Sequence, residues 1–130
     1  MILTAHRAVL IDAVATTATA VLMLATRGIL YPYFGLTSPL LLDVAAVAFL
    51  AYAGIIGIAA ARPAITTTTL MTIAGANAGY VIASVVVLVT FWSALPAEGR
   101  VLIGAIALAV EGFAMLQFTA ARRLASRSPA

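Results

Sequence analysis

Four long apolar stretches dominate this sequence and leave few folds open to it. Each is close to the ~20 apolar residues that a helix needs to cross a ~30 Å hydrocarbon core. Within lipid a backbone must satisfy its own hydrogen bonds, so a spanning segment is a helix or a strand of a closed barrel. Strand-like alternation is absent, and we therefore predict an all-α, polytopic membrane protein with a four-transmembrane-helix bundle. The predicted helices cover residues 8–26, 39–61, 65–92 and 101–121.

The low charge content argues against the main alternative, a soluble helical protein. Of the 130 residues, 65% are hydrophobic and only 8% are charged. An average soluble domain carries about 25% charged residues, which keep its surface dispersed in water. The few arginines form no basic stripe, so we expect no nucleic-acid partner. The sequence predicts a single membrane domain over residues 1–130, with the lipid bilayer as its main partner.

Proline, glycine and arginine mark the breaks between the apolar stretches. Arg62 and Pro63 separate the second stretch from the third, and residues 96–100 form a turn before the fourth. A cleavable signal peptide is the alternative for the first stretch, because Arg7 precedes it and residues 18–20 read Ala-Thr-Ala. The apolar run continues past that site, which favours a retained helix.

The placement of the arginines predicts the orientation of the bundle. With the N-terminus inside, five arginines flank the inner helix ends and two flank the outer ends, which satisfies the positive-inside rule. We therefore expect both termini, including a short basic tail at residues 122–130, in the cytoplasm of a bacterium. The inner arginines are Arg7, Arg62, Arg122, Arg123 and Arg127, and the outer ones are Arg27 and Arg100.

Acidic residues inside the predicted helices are the strongest functional signal in the sequence. A charged side chain at mid-helix costs roughly 2.5–3.5 kcal/mol on insertion scales, so such residues generally face protein or water. Glu111 shares its helical face with Gly104, and a small residue lets a neighbouring helix approach closely. Asn77 sits at a similar depth in the third stretch, with Tyr80 on its face. We therefore predict that Glu111 points into the bundle and forms a hydrogen bond with Asn77.

The other two acids lie nearer to the helix ends. Asp12 has Thr16 on its face and is expected either to pair with the arginines that end the fourth stretch or to carry protons or cations. Asp43 lies in the first turn of the second stretch, where an acid complements the helix dipole. Its expected role is structural, as the ion-pair partner of Arg27 or Arg100.

Gly75 and Gly79 form a small-xxx-small pair, which is typical of close helix packing within one chain or between copies. Gly104 adds a further small residue on the fourth stretch. The single histidine, His6, has no second ligand at a recognisable spacing, and no nucleophile or phosphate-binding motif is present. We therefore expect no catalytic residue, no metal site and no cofactor.

Three functional hypotheses are consistent with these residues. The favoured one is a non-enzymatic bundle that associates with itself as a homo-oligomer, with lipid, or with a larger membrane complex. The second is a small proton- or cation-coupled transporter or channel that uses Glu111 and Asp12. The third is a membrane enzyme or binder of a lipid, quinone or isoprenoid, for which no reaction motif is present.

Overall fold

The structure is helical throughout the part of the chain it describes, and the prediction of an all-α bundle is confirmed. The computed structural model describes residues 4–127, and no strand occurs among them. Four of its helices are long and apolar enough to span a membrane, so the chain is a multi-pass integral membrane protein. The helices are α1 (Ala5–Ala25), α2 (Arg27–Leu30), α3 (Leu40–Ala61), α4 (Thr67–Thr90) and α5 (Ala97–Arg127), with a 3₁₀ turn at Tyr31–Phe34.

Threonine side chains cap the starts of α1 and α4. The Thr66 hydroxyl accepts a hydrogen bond of 3.1 Å from the backbone N–H of Thr69, which satisfies one of the free donors at the start of α4. The predicted tail at residues 122–130 is helical as far as Arg127, and its last three residues lie outside the described residues. Arginine is a good helix former and complements the dipole at a helix C-terminus, which explains the extension of α5.

The four long helices form two hairpins that meet along a narrow seam. α1 packs along α3, and α4 packs along α5. The hairpins approach each other mainly through α1 and α5, whereas the backbones of α3 and α4 stay well apart. The bundle is therefore more open on the α3–α4 side than on the α1–α5 side.

One end of the bundle, here called the core end, holds the main apolar core. Val9, Ile56, Leu70 and Ala121 each come from a different long helix and are at most 2% exposed. His6 donates a hydrogen bond of 2.8 Å from Nε2 to the Arg62 carbonyl oxygen, which ties the start of α1 to the end of α3. Small and branched side chains allow all four helices to approach closely here.

The opposite end, here called the cleft end, is closed by loops. The 3₁₀ turn packs against the start of α5, where Gly99 is buried against the backbone of Tyr33. The Arg100 guanidinium lies 4.3 Å from the centre of the Trp92 ring and donates from Nε to the Trp92 carbonyl oxygen at 2.9 Å. These contacts hold the two interhelical loops over the splayed helices.

Labelling of single cysteines tests the orientation, which stays a prediction. The chain has no cysteine, so one can be introduced at exposed Ser93 near the cleft end or at exposed Ser126 near the core end. With both termini in the cytoplasm, an impermeant maleimide added to intact cells labels Ser93→Cys and reaches Ser126→Cys only after permeabilisation. The reverse pattern would place both termini outside.

Replacement of Gly99 by alanine tests the packing of the cleft-end loop. A Cβ at this position would overlap the Tyr33 carbonyl oxygen, so the loop must shift. We expect Gly99→Ala to lower the free energy of unfolding in detergent by about 1–3 kcal/mol, as for other overpacked sites. Gly104→Ala on the same helix is the control, since its Cβ would meet no atom within 4 Å, and an equal loss in both variants would contradict this packing.

Candidate functional site

A layer of polar side chains crosses the interior of the bundle, with one residue from each long helix. These residues, together called the polar layer, are Asp12 on α1, Tyr52 on α3, Asn77 on α4 and Gln117 on α5. Asp12 is 1% exposed, Asn77 5% and Gln117 0%. Asp12 lies about 10 Å along α1 from its start and Asn77 about 15 Å along α4, at ~1.5 Å per residue. The layer is thus inside the span of the bundle, just beyond the core end.

The Asp12 carboxylate is the centre of this layer. Its Oδ2 atom accepts hydrogen bonds from Gln117 Nε2 at 2.7 Å and from Asn77 Nδ2 at 2.8 Å. The Tyr52 hydroxyl lies 3.4 Å from the same oxygen, and Thr16 donates to Oδ1 at 3.1 Å. Hydrogen-bond donors from α1, α4 and α5 therefore converge on one carboxyl group, and α3 places the Tyr52 hydroxyl beside it.

Asn77 links the remaining members of the layer to one another. Its Nδ2 also donates to Gln117 Oε1 at 2.8 Å, so both amide hydrogens are used. Its Oδ1 accepts from the Tyr52 hydroxyl at 2.9 Å, which is shorter than the distance from Tyr52 to Asp12. The single hydroxyl hydrogen of Tyr52 therefore goes to Asn77. The network is complete in the described residues, where no buried side-chain polar atom lacks a partner.

Asp12 has no positively charged partner among residues 4–127. The ion pair of the described chain lies elsewhere, between Arg27 and Asp43. Burial of an unpaired charge is costly unless hydrogen bonds replace its hydration. The amide groups of Asn77 and Gln117 and the Thr16 hydroxyl turn their hydrogens toward the carboxyl group and replace the hydration that burial removes.

Above the polar layer, an apolar cleft separates the two hairpins. An outer cavity of about 650 Å³ lies at the cleft end, and an inner cavity of about 320 Å³ adjoins the polar layer. The two cavities share lining residues from all four long helices, so they adjoin, and together they are called the cleft. The shared residues are Thr19, Phe49, Tyr80 and Ile106.

The polar layer forms the inner end of this cleft. Thr16, Tyr52 and Asn77 line the inner cavity, whereas Asp12 and Gln117 lie behind them. The walls beyond this point are almost wholly apolar, with aliphatic residues of α1, α3 and α5 and the aromatic residues of the loops. The site is an apolar cleft that ends on the side chains of Thr16, Tyr52 and Asn77, with the Asp12 carboxylate behind them.

Glu111 lies outside this site, and the structure corrects its predicted direction. Glu111 is exposed on α5, beside Leu108 and Met115, which are 76% and 63% exposed. The buried face of α5 passes through Gln117, so Glu111 lies roughly a quarter turn away from the centre of that face. The predicted hydrogen bond to Asn77 is therefore absent, and Asn77 instead contacts the other three members of the polar layer.

Asp12 also has different partners from those considered in the sequence analysis. The arginines at the end of α5, Arg122 and Arg123, are exposed, whereas Asp12 faces the interior. Among the other predicted site residues, Thr16 contacts Asp12 and Tyr80 lines both cavities. The structure therefore brings Asp12, Asn77, Thr16 and Tyr80 to one place and leaves Glu111 out.

The predicted pair of Arg27 and Asp43 is present at the cleft end. Arg27 Nε donates to Asp43 Oδ1 at 2.7 Å, and Nη2 donates to Oδ2 at 2.6 Å. The hydrogen bonds to the Asp43 carboxylate, reinforced by its charge, raise the pKa of Arg27 above its usual value. The pair joins α2 to the first turn of α3.

The predicted packing glycines do not make close contacts within the chain. Gly75 and Gly79 are exposed on α4, and an added Cβ at either position, or at Gly104, would meet no atom within 4 Å. Their alternative role, packing between copies of the chain, stays a prediction.

Two members of the polar layer were not predicted as site residues. In the sequence, Tyr52 is one of several aromatic residues within apolar stretches, and only its hydroxyl group indicates that it needs a hydrogen-bond partner when buried. Gln117 is a polar side chain within a spanning helix, which is a signal of interhelical hydrogen bonding. A search for amide side chains within the spanning helices would have identified Asn77 and Gln117 together.

The fold and the site together define a multi-pass helical membrane protein with an internal polar layer and an adjoining cleft. A comparison with protein-family models, curated proteins and solved structures finds no match to this chain. Its function is therefore argued from the geometry of the site.

Replacement of Gln117 tests the energetic role of the polar layer. Gln117→Met keeps the side-chain length but removes a donor to Asp12 and the acceptor for Asn77. We expect the free energy of unfolding in lipid or detergent to fall by about 1–3 kcal/mol, the usual cost of unsatisfied buried groups. Glu111→Gln is the matched control and should change it by less than about 0.5 kcal/mol, as is usual for exposed sites. Equal effects of the two variants would argue against the network.

Proposed function

We propose that this chain is a non-enzymatic membrane protein that binds an amphipathic, largely apolar small molecule in the cleft between its hairpins. The observation that carries the proposal is the position of the polar layer at the inner end of an otherwise apolar channel. Small-molecule sites are usually concave and apolar, with a few polar groups that orient the ligand. This cleft has the same combination of features.

The size of the cleft suits a lipid-class molecule. The inner and outer cavities, of about 320 and 650 Å³, fall within the range of about 300–1,000 Å³ that is usual for ligand pockets. An acyl or isoprenoid chain would fill the outer cavity, and a compact polar end would reach the inner one. Of the hypotheses drawn from the sequence, the proposal follows the third, in which the chain binds a lipid, quinone or isoprenoid. The lipid phase would be the source of the ligand.

The α3–α4 side provides a route for entry from the bilayer. The backbones of these helices stay apart, and side chains bridge the gap between them. Phe49 and Tyr80 meet edge to face with ring centres 5.7 Å apart, and Tyr52 bonds to Asn77 below them. A rotation of two aromatic side chains would open the cleft without any change in the helix backbones.

The placement of Asp12 supports binding rather than catalysis. A general acid or base must come within hydrogen-bond reach of its substrate. The Asp12 carboxylate is 1% exposed and already accepts from Thr16, Asn77 and Gln117. Its function in this proposal is to order the inner end of the cleft.

A second, independent observation is the exposed face of α5, which favours association with another membrane helix. Glu111 is exposed within a long apolar helix, and a carboxyl group at that depth is costly in contact with lipid. A neighbouring subunit would remove it from lipid, as the homo-oligomer hypothesis requires. A transporter that couples Glu111 with Asp12 is less favoured, because the structure places the two acids at different sites.

Obstruction of the cleft tests the proposed binding. Thr19 lines both cavities, so Thr19→Phe places a ring at their junction. Native mass spectrometry of the protein extracted gently from its host membrane should show a bound hydrophobic molecule in the wild type and its loss in Thr19→Phe.

Val21→Phe is the matched control for this experiment. Val21 lies on the same helix but is 53% exposed on the outer surface, so its replacement should leave the bound molecule in place. A wild-type protein without any bound molecule, or a Thr19→Phe variant that retains it, would contradict the proposal.

A further inference from the structure

Three hydroxyl groups at the inner end of the cleft already donate hydrogen bonds to other groups of the protein. Thr16 donates to Asp12 at 3.1 Å, and Tyr52 donates to Asn77 at 2.9 Å. Thr19 donates to a backbone carbonyl of its own helix at 2.8 Å. A hydroxyl oxygen that has donated its hydrogen still carries lone pairs. The inner cavity therefore presents mainly hydrogen-bond acceptors to a ligand.

Donors for an anionic or carbonyl-bearing ligand are scarce in this cleft. Three of the hydroxyl groups that line the inner cavity, those of Thr16, Thr19 and Tyr52, donate within the protein, and Tyr80 carries the other one. No arginine, lysine or histidine lines either cavity in the described part of the chain. Carboxylates and phosphates are bound through several donors or a cation, so this cleft does not suit them.

The charge near the inner cavity is negative. Asp12 lies directly behind Thr16 and Tyr52, at 3.1 and 3.4 Å from their hydroxyl oxygens. Its carboxylate has no counter-ion among the described residues. In surroundings of low dielectric constant, attraction between opposite charges extends well beyond direct contact. A positive group in the inner cavity would therefore be attracted to Asp12 across a single layer of hydroxyl groups.

Aromatic rings around the inner cavity add a second source of attraction for a cation. Phe49, Tyr52, Tyr80 and Phe113 line it, from three of the four long helices. The faces of such rings carry negative potential, and they bind ammonium groups when water is excluded. The walls therefore suit a charged group that also carries hydrocarbon.

We infer that the ligand of this cleft is a hydrophobic organic cation, with a protonated amine at the polar layer and its apolar part along the outer cavity. The inference rests on the proposed binding function and adds the charge and hydrogen-bonding character of the ligand. The amine donates to the hydroxyl oxygens of Thr16, Tyr52 and Thr19, and the Asp12 carboxylate balances its charge.

A series of probes that differ only in the polar end tests this inference. Dodecylamine, dodecanol and dodecanoate are titrated into the full-length chain in phosphatidylcholine nanodiscs, with empty nanodiscs subtracted. We expect the amine to bind about tenfold more tightly than the alcohol, from one added ionic and cation–π contribution, and the carboxylate to bind most weakly. Thr19→Phe should abolish the binding of both the amine and the alcohol.

Asp12→Asn gives the matched variant because it keeps the shape of the side chain and removes its charge. The preference for the amine over the alcohol should disappear while the alcohol still binds, and Glu111→Gln should keep the wild-type preference. If Asp12→Asn does not fold, the wild-type series decides alone. Equal binding of amine and alcohol, both blocked by Thr19→Phe, would overturn the inference and leave the binding cleft in place. Binding that Thr19→Phe leaves unchanged would overturn both.

Discussion

The Asp12 carboxylate lies within the membrane span and has no cationic partner in the described part of the chain, so hydrogen bonds must replace the water that would hydrate it elsewhere. The amide groups of Asn77 on α4 and Gln117 on α5 and the Thr16 hydroxyl of its own helix supply them. A buried polar group left without a hydrogen-bond partner destabilises the fold more than an apolar group of the same shape would. This constraint fixes the rotation of each long helix, because a helix turned away would leave its own polar residue and a partner in the polar layer unsatisfied.

The polar layer also divides the bundle into two parts with different packing. On the core end, small and branched residues such as Val9, Ile56 and Ala121 bring the helices close together. On the cleft end, Phe49 and Tyr80 bridge α3 and α4 at 5.7 Å between ring centres and keep their backbones apart. A tightly packed base beneath an open cleft is a geometry that holds a polar group rigidly while leaving room above it. The rigid polar group and the adjoining space are the two requirements for orienting a ligand.

The direction of a side chain from a membrane helix was the weakest point of the sequence interpretation. In a soluble protein, a polar outer face shows which side of a helix is buried. In a membrane bundle, the lipid-facing side is as apolar as the interior, so that contrast is lost. Small residues near Glu111 indicated an inward face, yet the buried face of α5 runs through Gln117 instead. The glycines of α4 were interpreted in the same way and are exposed.

The sequence by itself determined the number of spanning helices, their approximate ends and the need of Asp43 for an arginine partner, either Arg27 or Arg100. These features depend on local properties: the length of an apolar run, the residues that break it, and charges at adjoining helix ends. It also singled out Asp12 and Asn77 as polar residues that need partners. Only the tertiary structure decided that these two meet each other, that Tyr52 and Gln117 join them, and that a cleft lies beside them. Those outcomes depend on the relative rotation and separation of four helices, which a one-dimensional pattern of apolar residues does not encode.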